Sequence, residues 1–382
     1  MKKLKFLFCS LIVGCSVLPL AACTQTPGKP AEKPCDHTYE TGWSKDDTHH
    51  WHAPTCDETH EPADKALHKF NPDHVCEVCG KSEAGIGKLS VADVSAWSDV
   101  ENEFKLVFAD ASKAEAVTYE YDEDKIVLDK ENCTVKSVNG FVGTTQVTVR
   151  SEHHNTVRFT VTCKNLPVNS TPQYTGYAAQ LGEGVLVDDN GNDTGARYTV
   201  TENTTVFIGD SFFDRRWFWK DFYTDDFNGK DAFLAGISGA TTNDWEIYLD
   251  SVFAVFGEKA PKNIAIHLGT NNLGTGQTAE QTEEGLQHFL LKLHQKFPQT
   301  KIYYFSITPR YDNGGPSNST IGQINTQTQA WCKDKDFVSY INIAWLLTRD
   351  KIQSDGIHPQ LETYSIFVEY LQKAGCVIDN KD

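Results

Sequence analysis

Val206-Phe207-Ile208-Gly209-Asp210-Ser211 is an apolar run closed by a glycine, an aspartate and a serine. Such a run reads as a buried parallel strand that turns toward a helix and leaves a hydroxyl at its carboxyl end. Open α/β sheets take their ligands at that edge. A serine alone is a weak nucleophile, so the stretch carries chemistry only if the rest of the chain supplies a base and donors for an oxyanion.

Downstream, strand and helix patterns alternate. The strand-like runs are Thr205–Ile208, Ala232–Ala235, Asn263–Leu268, Lys301–Ile307 and Val338–Ile343, and Thr282–Phe297 sets Leu286, Phe289, Leu290 and Leu293 on one helical face. This alternation predicts a parallel sheet covered by helices on both faces. Gly236-Ile237-Ser238-Gly239 follows the second run, Gly269-Thr270-Asn271-Asn272 the third, and Asp355-Gly356-Ile357-His358 precedes the last helix. On one edge of the sheet these loops and Ser211 hold a hydroxyl, a glycine N–H, a side-chain amide and an Asp-x-x-His pair, the parts of acyl transfer. Each also has a plain structural reading: Ser211 as a helix cap, Asn271 as a turn residue, His267 as a packed histidine. Arg310 reads equally as a cleft residue or as half of a surface ion pair.

In this order the four blocks resemble those of the SGNH (GDSL-type) hydrolase superfamily, and the resemblance covers residues 203–382. It implies a three-layer α/β/α domain with a flavodoxin-like parallel sheet. It also implies Ser211 as nucleophile, His358 as its base and Asp355 as the carboxylate that orients the base. The implied oxyanion hole is the N–H groups of Ser211 and Gly239 with the amide of Asn271, and no catalytic cofactor is expected. Phe212 stands where leucine is usual, and the third block ends Asn-Asn in place of Asn-Asp. The implied activity is hydrolysis of small acyl esters, acetyl first, on an acylated small molecule or an extracellular glycan. Two alternatives stay open: a surface binding protein whose fold no longer turns over, and a lipid acylhydrolase. The dense aromatic cluster Phe212, Phe213, Trp217, Phe218, Trp219, Phe222 and Tyr223 reads as part core and part exposed wall.

Upstream the composition changes. Met1-Lys2-Lys3-Leu4-Lys5, an apolar run to Leu18 and Leu20-Ala21-Ala22-Cys23 form an export signal too short for a permanent span. It resembles a bacterial lipoprotein signal, which implies removal of residues 1–22, lipidation of Cys23 and attachment to the outer side of the cytoplasmic membrane. Residues 23–34 then serve as a proline-rich tether. Residues 35–83 hold seven of the 13 histidines and four cysteines. Soft thiolates and imidazoles at this density suit tetrahedral zinc, and a segment with so few aliphatics needs a metal or disulfides to hold a fold. The segment resembles small Cys/His modules of bacterial surface proteins, which implies a zinc-ribbon-like structural unit. Its candidate ligands are Cys35, His37, His52, Cys56, His68, Cys76 and Cys79.

Residues 87–167 carry short β-branched and aromatic runs separated by turn signals, and Thr156–Thr162 alternates as a strand with one buried face. A sandwich closes such strands economically, and the stretch resembles bacterial immunoglobulin-like domains. A spacer role is expected before a carbohydrate-binding one. Residues 168–202 read as a connector, with Tyr177–Val187 expected to add a strand to the next domain. Cys133 with Cys163, and Cys332 with Cys376, stand as either disulfides or buried thiols. The chain of 382 residues carries 52 acids against 35 Lys and Arg, with no basic stripe, so nucleic acid is excluded as an expected partner.

Overall fold

The computed structural model describes residues 38–56, 61–165, 172–188, 190, 192–216 and 229–381. Cys23, Cys35, His37 and the aromatic stretch Trp217–Tyr223 lie outside the described residues. The chain divides into two compact units, one running to Asn71 and resuming at Val75–Glu83, the other made of Pro72–His74 and everything from Ala84. In the small unit β1 (Ser44–Lys45), β2 (His49–His52) and β3 (Ala63–Leu67) form an antiparallel sheet in that order. Its register shifts between His50 and His52.

The larger unit starts with short strands: β4 (Leu89–Ser90), β5 (Val94–Ala96), β6 (Asn102–Glu103), β7 (Val107–Phe108), β8 (Thr118–Glu120), β9 (Ile126–Asp129), β10 (Thr134–Ser137), β11 (Gly143–Arg150) and β12 (Val157–Cys163). They pair as β6-β10-β9, β5-β12-β11-β8 and β4-β7. Ile126, Leu128 and Val135 from one sheet share a core with Val147, Val149, Phe159 and Val161 from another. The thiols of Cys133, Cys163, Cys332 and Cys376 are free. Burial pushes the Cys332 and Cys376 thiols up to about 12, which keeps them protonated and unreactive.

The expected strand at Tyr177–Val187 is a helix followed by a hairpin. Ala178, Ala179, Gln180 and Leu181 are strong helix formers. They lie in α1 (Thr175–Gly182), whose Tyr177, Ala178 and Leu181 are buried. The following β13 (Val185–Val187) pairs with β14 (Asp193–Arg197), outside the main sheet.

The main sheet consists of β15 (Thr205–Gly209), β16 (Ala232–Leu234), β17 (Asn263–His267), β18 (Lys301–Phe305) and β19 (Val338–Ile341), all parallel, in the order β16-β15-β17-β18-β19. Numbered within the sheet this is 2-1-3-4-5, the flavodoxin-like order, whose switch point lies between β15 and β17. The strands end earlier than the apolar runs do, because Leu268 and Ile307 already belong to the turns that build the edge. Side chains alternate between two cores. Val206, Ile208, Ile264, Ile266, Ile302 and Tyr304 pack under α1, α2 (Thr242–Phe253), α4 (Ala279–Lys296) and α5 (Asn318–Lys333). Phe207, Ala265, Tyr303 and Phe305 face the opposite way, toward Phe212, Phe213 and α6 (Tyr364–Lys373). Burial on both faces is why these strands are near-continuous apolar runs. Capping boxes, Thr241 with Asp244 and Thr278 with Gln281, start α2 and α4. Between them lies the short helix α3 (Thr270–Gly274).

A seam joins the β-rich part to this domain. Trp97 and Val100 pack on Leu291 of α4. Beside them His288, buried in α4, places Nε2 2.7 Å from Asp99 and Nδ1 2.9 Å from Glu246. The Lys292 ammonium also reaches both carboxylates.

Candidate active site

Ser211 lies two residues past Gly209, the end of β15, and opens a 3₁₀ turn capped by the Asp210 carboxylate, which accepts from the Phe212 N–H at 3.1 Å. Gly209 has φ +130°, and a Cβ there would sit 1.8 Å from the carbonyl oxygen of His267 on the neighbouring strand. Only glycine lets the two strands close at this point.

Ser211 Oγ is 2.8 Å from His358 Nε2, and His358 Nδ1 is 2.6 Å from Asp355 Oδ2. An ionised carboxylate can only accept, so Nδ1 carries the proton and Nε2 offers a lone pair to the hydroxyl. Asp355 is itself fixed by the N–H groups of Ile357 at 2.9 Å and His358 at 3.1 Å. Burial would push its carboxyl up, but those N–H groups and the imidazole outweigh burial and hold it below the ordinary carboxylate value.

Gly239 has φ +76°, with open space where a Cβ would point. The backbone conformation, not crowding, therefore favours glycine there. Its loop is held from behind: the Ser238 N–H donates to Asp214 Oδ2 at 2.8 Å. Asp214 is fully buried and paired with Arg216, whose guanidinium lies 3.8 Å from the Tyr177 ring centroid. Asn271 lies in α3 and donates to the Ala240 carbonyl at 3.1 Å. A primary amide has two hydrogens, so one can tie the loops together while the other serves the cleft. Core donors hold the strand ends: Tyr304 Oη to Leu268 O at 2.9 Å and Trp245 Nε1 to Gly209 O at 3.0 Å.

Ser211, Gly239, Asn271 and His358 line one open cleft of ≈ 520 Å³, completed by Ser238, Gly274, Thr275, Arg310 and Ile357. All five expected catalytic and oxyanion residues are thus at one edge. Arg310 lines the cleft, and its guanidinium grips Asp312 at 2.8 and 2.7 Å in a pair that is mostly buried, not at the surface as expected. One pair escaped the sequence reading. His267, fully buried, sets Nδ1 3.1 Å from Asp210, and its ring stacks on Phe212 at 3.9 Å. The nucleophile's turn therefore rests on a buried His–Asp pair. The signal was the register of β15 with β17, which sets Gly209 opposite His267.

The metal candidates separate. His68, Cys76 and Cys79 come together, joined by His50. His52 stands apart, its Nδ1 3.0 Å from Gly42 O and its ring stacked on Trp43 at 4.0 Å. Cys56 is a half-buried free thiol outside the group. Of the described candidates, His52 and Cys56 therefore stay outside the group, and His50, not expected as a ligand, joins it.

A parallel sheet covered on both faces, with a serine–histidine–aspartate chain and a glycine and an asparagine at its carboxyl edge, is the architecture of serine-dependent acyl hydrolases. Residues 207–366 match the GDSL-like lipase/acylhydrolase family. Solved structures similar to the chain include a GDSL-like lipase from Bacteroides thetaiotaomicron, 18% identical over 53% of this chain and 98% of that one, TM-score 0.42. A lipase/acylhydrolase from Enterococcus faecalis is 17% identical over 47% and 99%, TM-score 0.37. A carbohydrate esterase family 3 structure from Talaromyces cellulolyticus is 19% identical over 46% and 99%, TM-score 0.34. No curated protein matches the chain.

Proposed function

We propose that this chain hydrolyses esters of small acyl groups, acetyl first, carried on carbohydrates outside the cytoplasmic membrane. The observation that carries the reading is the continuous chain Ser211–His358–Asp355 opening on a cleft that Gly239 and Asn271 also line. His358 Nε2 takes the Ser211 proton as Oγ attacks the ester carbonyl, and Asp355 stabilises the imidazolium that forms. The oxyanion is received by the N–H groups of Ser211 and Gly239 and the amide of Asn271. His358 then returns its proton to the leaving alcohol. Water, deprotonated by the same nitrogen, releases the acid and restores the serine.

Ile357 is the one aliphatic side chain among the described lining residues, and Ser238, Thr275 and Arg310 surround it with polar groups. Among the described residues no helix is long and apolar enough to cross a membrane. Attachment is proposed to run through a lipid on Cys23, with the tether and the β-rich part as spacer. Replacing Ser211 by alanine tests the activity. Hydrolysis of a chromogenic acetyl ester should fall by about 10⁴-fold or more, and equal rates for the two proteins would overturn the assignment. Cys23→Ala should release the exported protein from the membrane fraction, and unchanged retention would refute the anchor.

A further inference from the structure

We propose that the small unit is built around one structural zinc ion held by His50, His68, Cys76 and Cys79. Their ligand-bearing atoms all lie within 4.8 Å of one another. His50 Nδ1 is 3.8 Å from Cys76 Sγ, and His68 Nδ1 is 3.5 Å from Cys79 Sγ. Tetrahedral zinc, with bonds of about 2.3 Å to sulfur and about 2.0–2.1 Å to nitrogen, sets a sulfur and a nitrogen roughly 3.5 Å apart. The four donors already stand near the corners such an ion requires.

Two further observations are independent of these distances. His68 turns Nε2 to the Asp46 carbonyl at 3.0 Å. A carbonyl only accepts, so Nε2 carries the proton and the Nδ1 lone pair faces the group. An outer hydrogen bond of this kind orients histidine ligands in metal sites. The second observation is what the unit buries. Among its described residues the fully buried side chains are His50 and Cys76, two of the four donors. Leu67 and Val78 are exposed. The unit has no apolar centre among these residues that could hold β1–β3 together, and polar groups placed at the middle of a fold are stable only with partners. A closed set of four protein ligands leaves no position for water or substrate, so the ion is structural and folding of the unit is coupled to its binding.

The test uses the whole chain, purified without chelator. Elemental analysis should find about one zinc per chain, and Cys76→Ser or Cys79→Ser should bring it to background. His52→Ala and Cys56→Ser should retain it. Cobalt(II) added to the metal-stripped wild type should give the intense visible bands of a tetrahedral thiolate site, a readout that needs no variant to fold. Chromogenic-ester turnover should persist through stripping, which separates this proposal from the esterase assignment. Failure of stripped protein to take up zinc or cobalt, a Cys76–Cys79 disulfide in non-reduced peptide maps, or loss of metal on removing His52 or Cys56 but not Cys76 would each overturn it.

Discussion

His358 at the cleft and His288 at the seam both hydrogen-bond through both ring nitrogens, yet the two regions do opposite things with a proton. His358 has a carboxylate on one side and a hydroxyl on the other, and its side chain is 19% exposed. In the proposed mechanism its charge is transient, because a proton accepted at Nε2 passes on to the leaving alcohol. His288 has carboxylates on both sides, Asp99 and Glu246, and is fully buried. Burial alone would lower the tendency of its imidazole to hold a proton, but the two carboxylates outweigh burial and raise it. There the charged form is favoured, and it links two parts of the chain. The second partner, not the histidine, decides between catalysis and adhesion.

Variants can break this contrast at either end. The largest effect is expected from Asp355→Asn, which replaces the acceptor-only carboxylate with an amide whose NH2 can donate to Nδ1 and hold the wrong His358 tautomer. It should cost about 10³–10⁴-fold in kcat with little change in the unfolding midpoint. Next, Asn271→Ala should lower kcat by about 10²–10³-fold with a small change in KM. A loss confined to KM would show that the amide serves ground-state binding only. At the seam the pattern should invert. His288→Ala leaves two carboxylates facing each other with only Lys292 between them, and should lower unfolding stability by about 3 kcal/mol in denaturant titrations while kcat at low temperature stays unchanged. A kcat effect as large as that of Asn271→Ala would mean that the seam is part of the catalytic machinery.

The smallest effect is in pH. Folded His288 holds its proton more tightly than the unfolded chain does, so its contribution is complete below the ordinary value of 6.5 and is lost as pH rises through the raised folded value. For Asp99 burial acts upward, but the His288 and Lys292 charges outweigh it and lower the carboxyl below its ordinary 3.8. Its share is therefore present above that value and lost in stronger acid. The stability margin of wild type over His288→Ala should shrink on the alkaline side. A margin that grows with pH would show that the histidine is neutral in the fold.

The cleft was more legible in the sequence than the seam or the metal group. Ser211, Gly239, Asn271 and His358 each sit in a loop or a short helical turn that follows a strand or precedes the last helix, and the alternation of strands places those segments on one edge. His288 was hidden because its partner Asp99 lies 189 residues away in a different part of the fold. Its neighbours Leu286, Phe289 and Leu290 marked only a helix with an apolar face. His50 was hidden for a different reason. His50 and His52 lie two apart in β2 and both rings touch Trp43, at 4.8 and 4.0 Å, so alternation alone does not say which of the two meets Cys76. The helix α1 was missed because Val185–Val187 drew the strand reading backward over residues whose own preference is helical.

The hydrogen bond between Ser211 and His358 joins residues 147 positions apart. One follows the first strand of the sheet in sequence, and the other lies beyond the last. A folding intermediate with β15, β17 and β18 in place but β19 and the following loop undocked would hold most of the apolar core and still have no base beside its serine. On the proposed activity, ester turnover during refolding is regained only once the C-terminal end has docked beside the first strand.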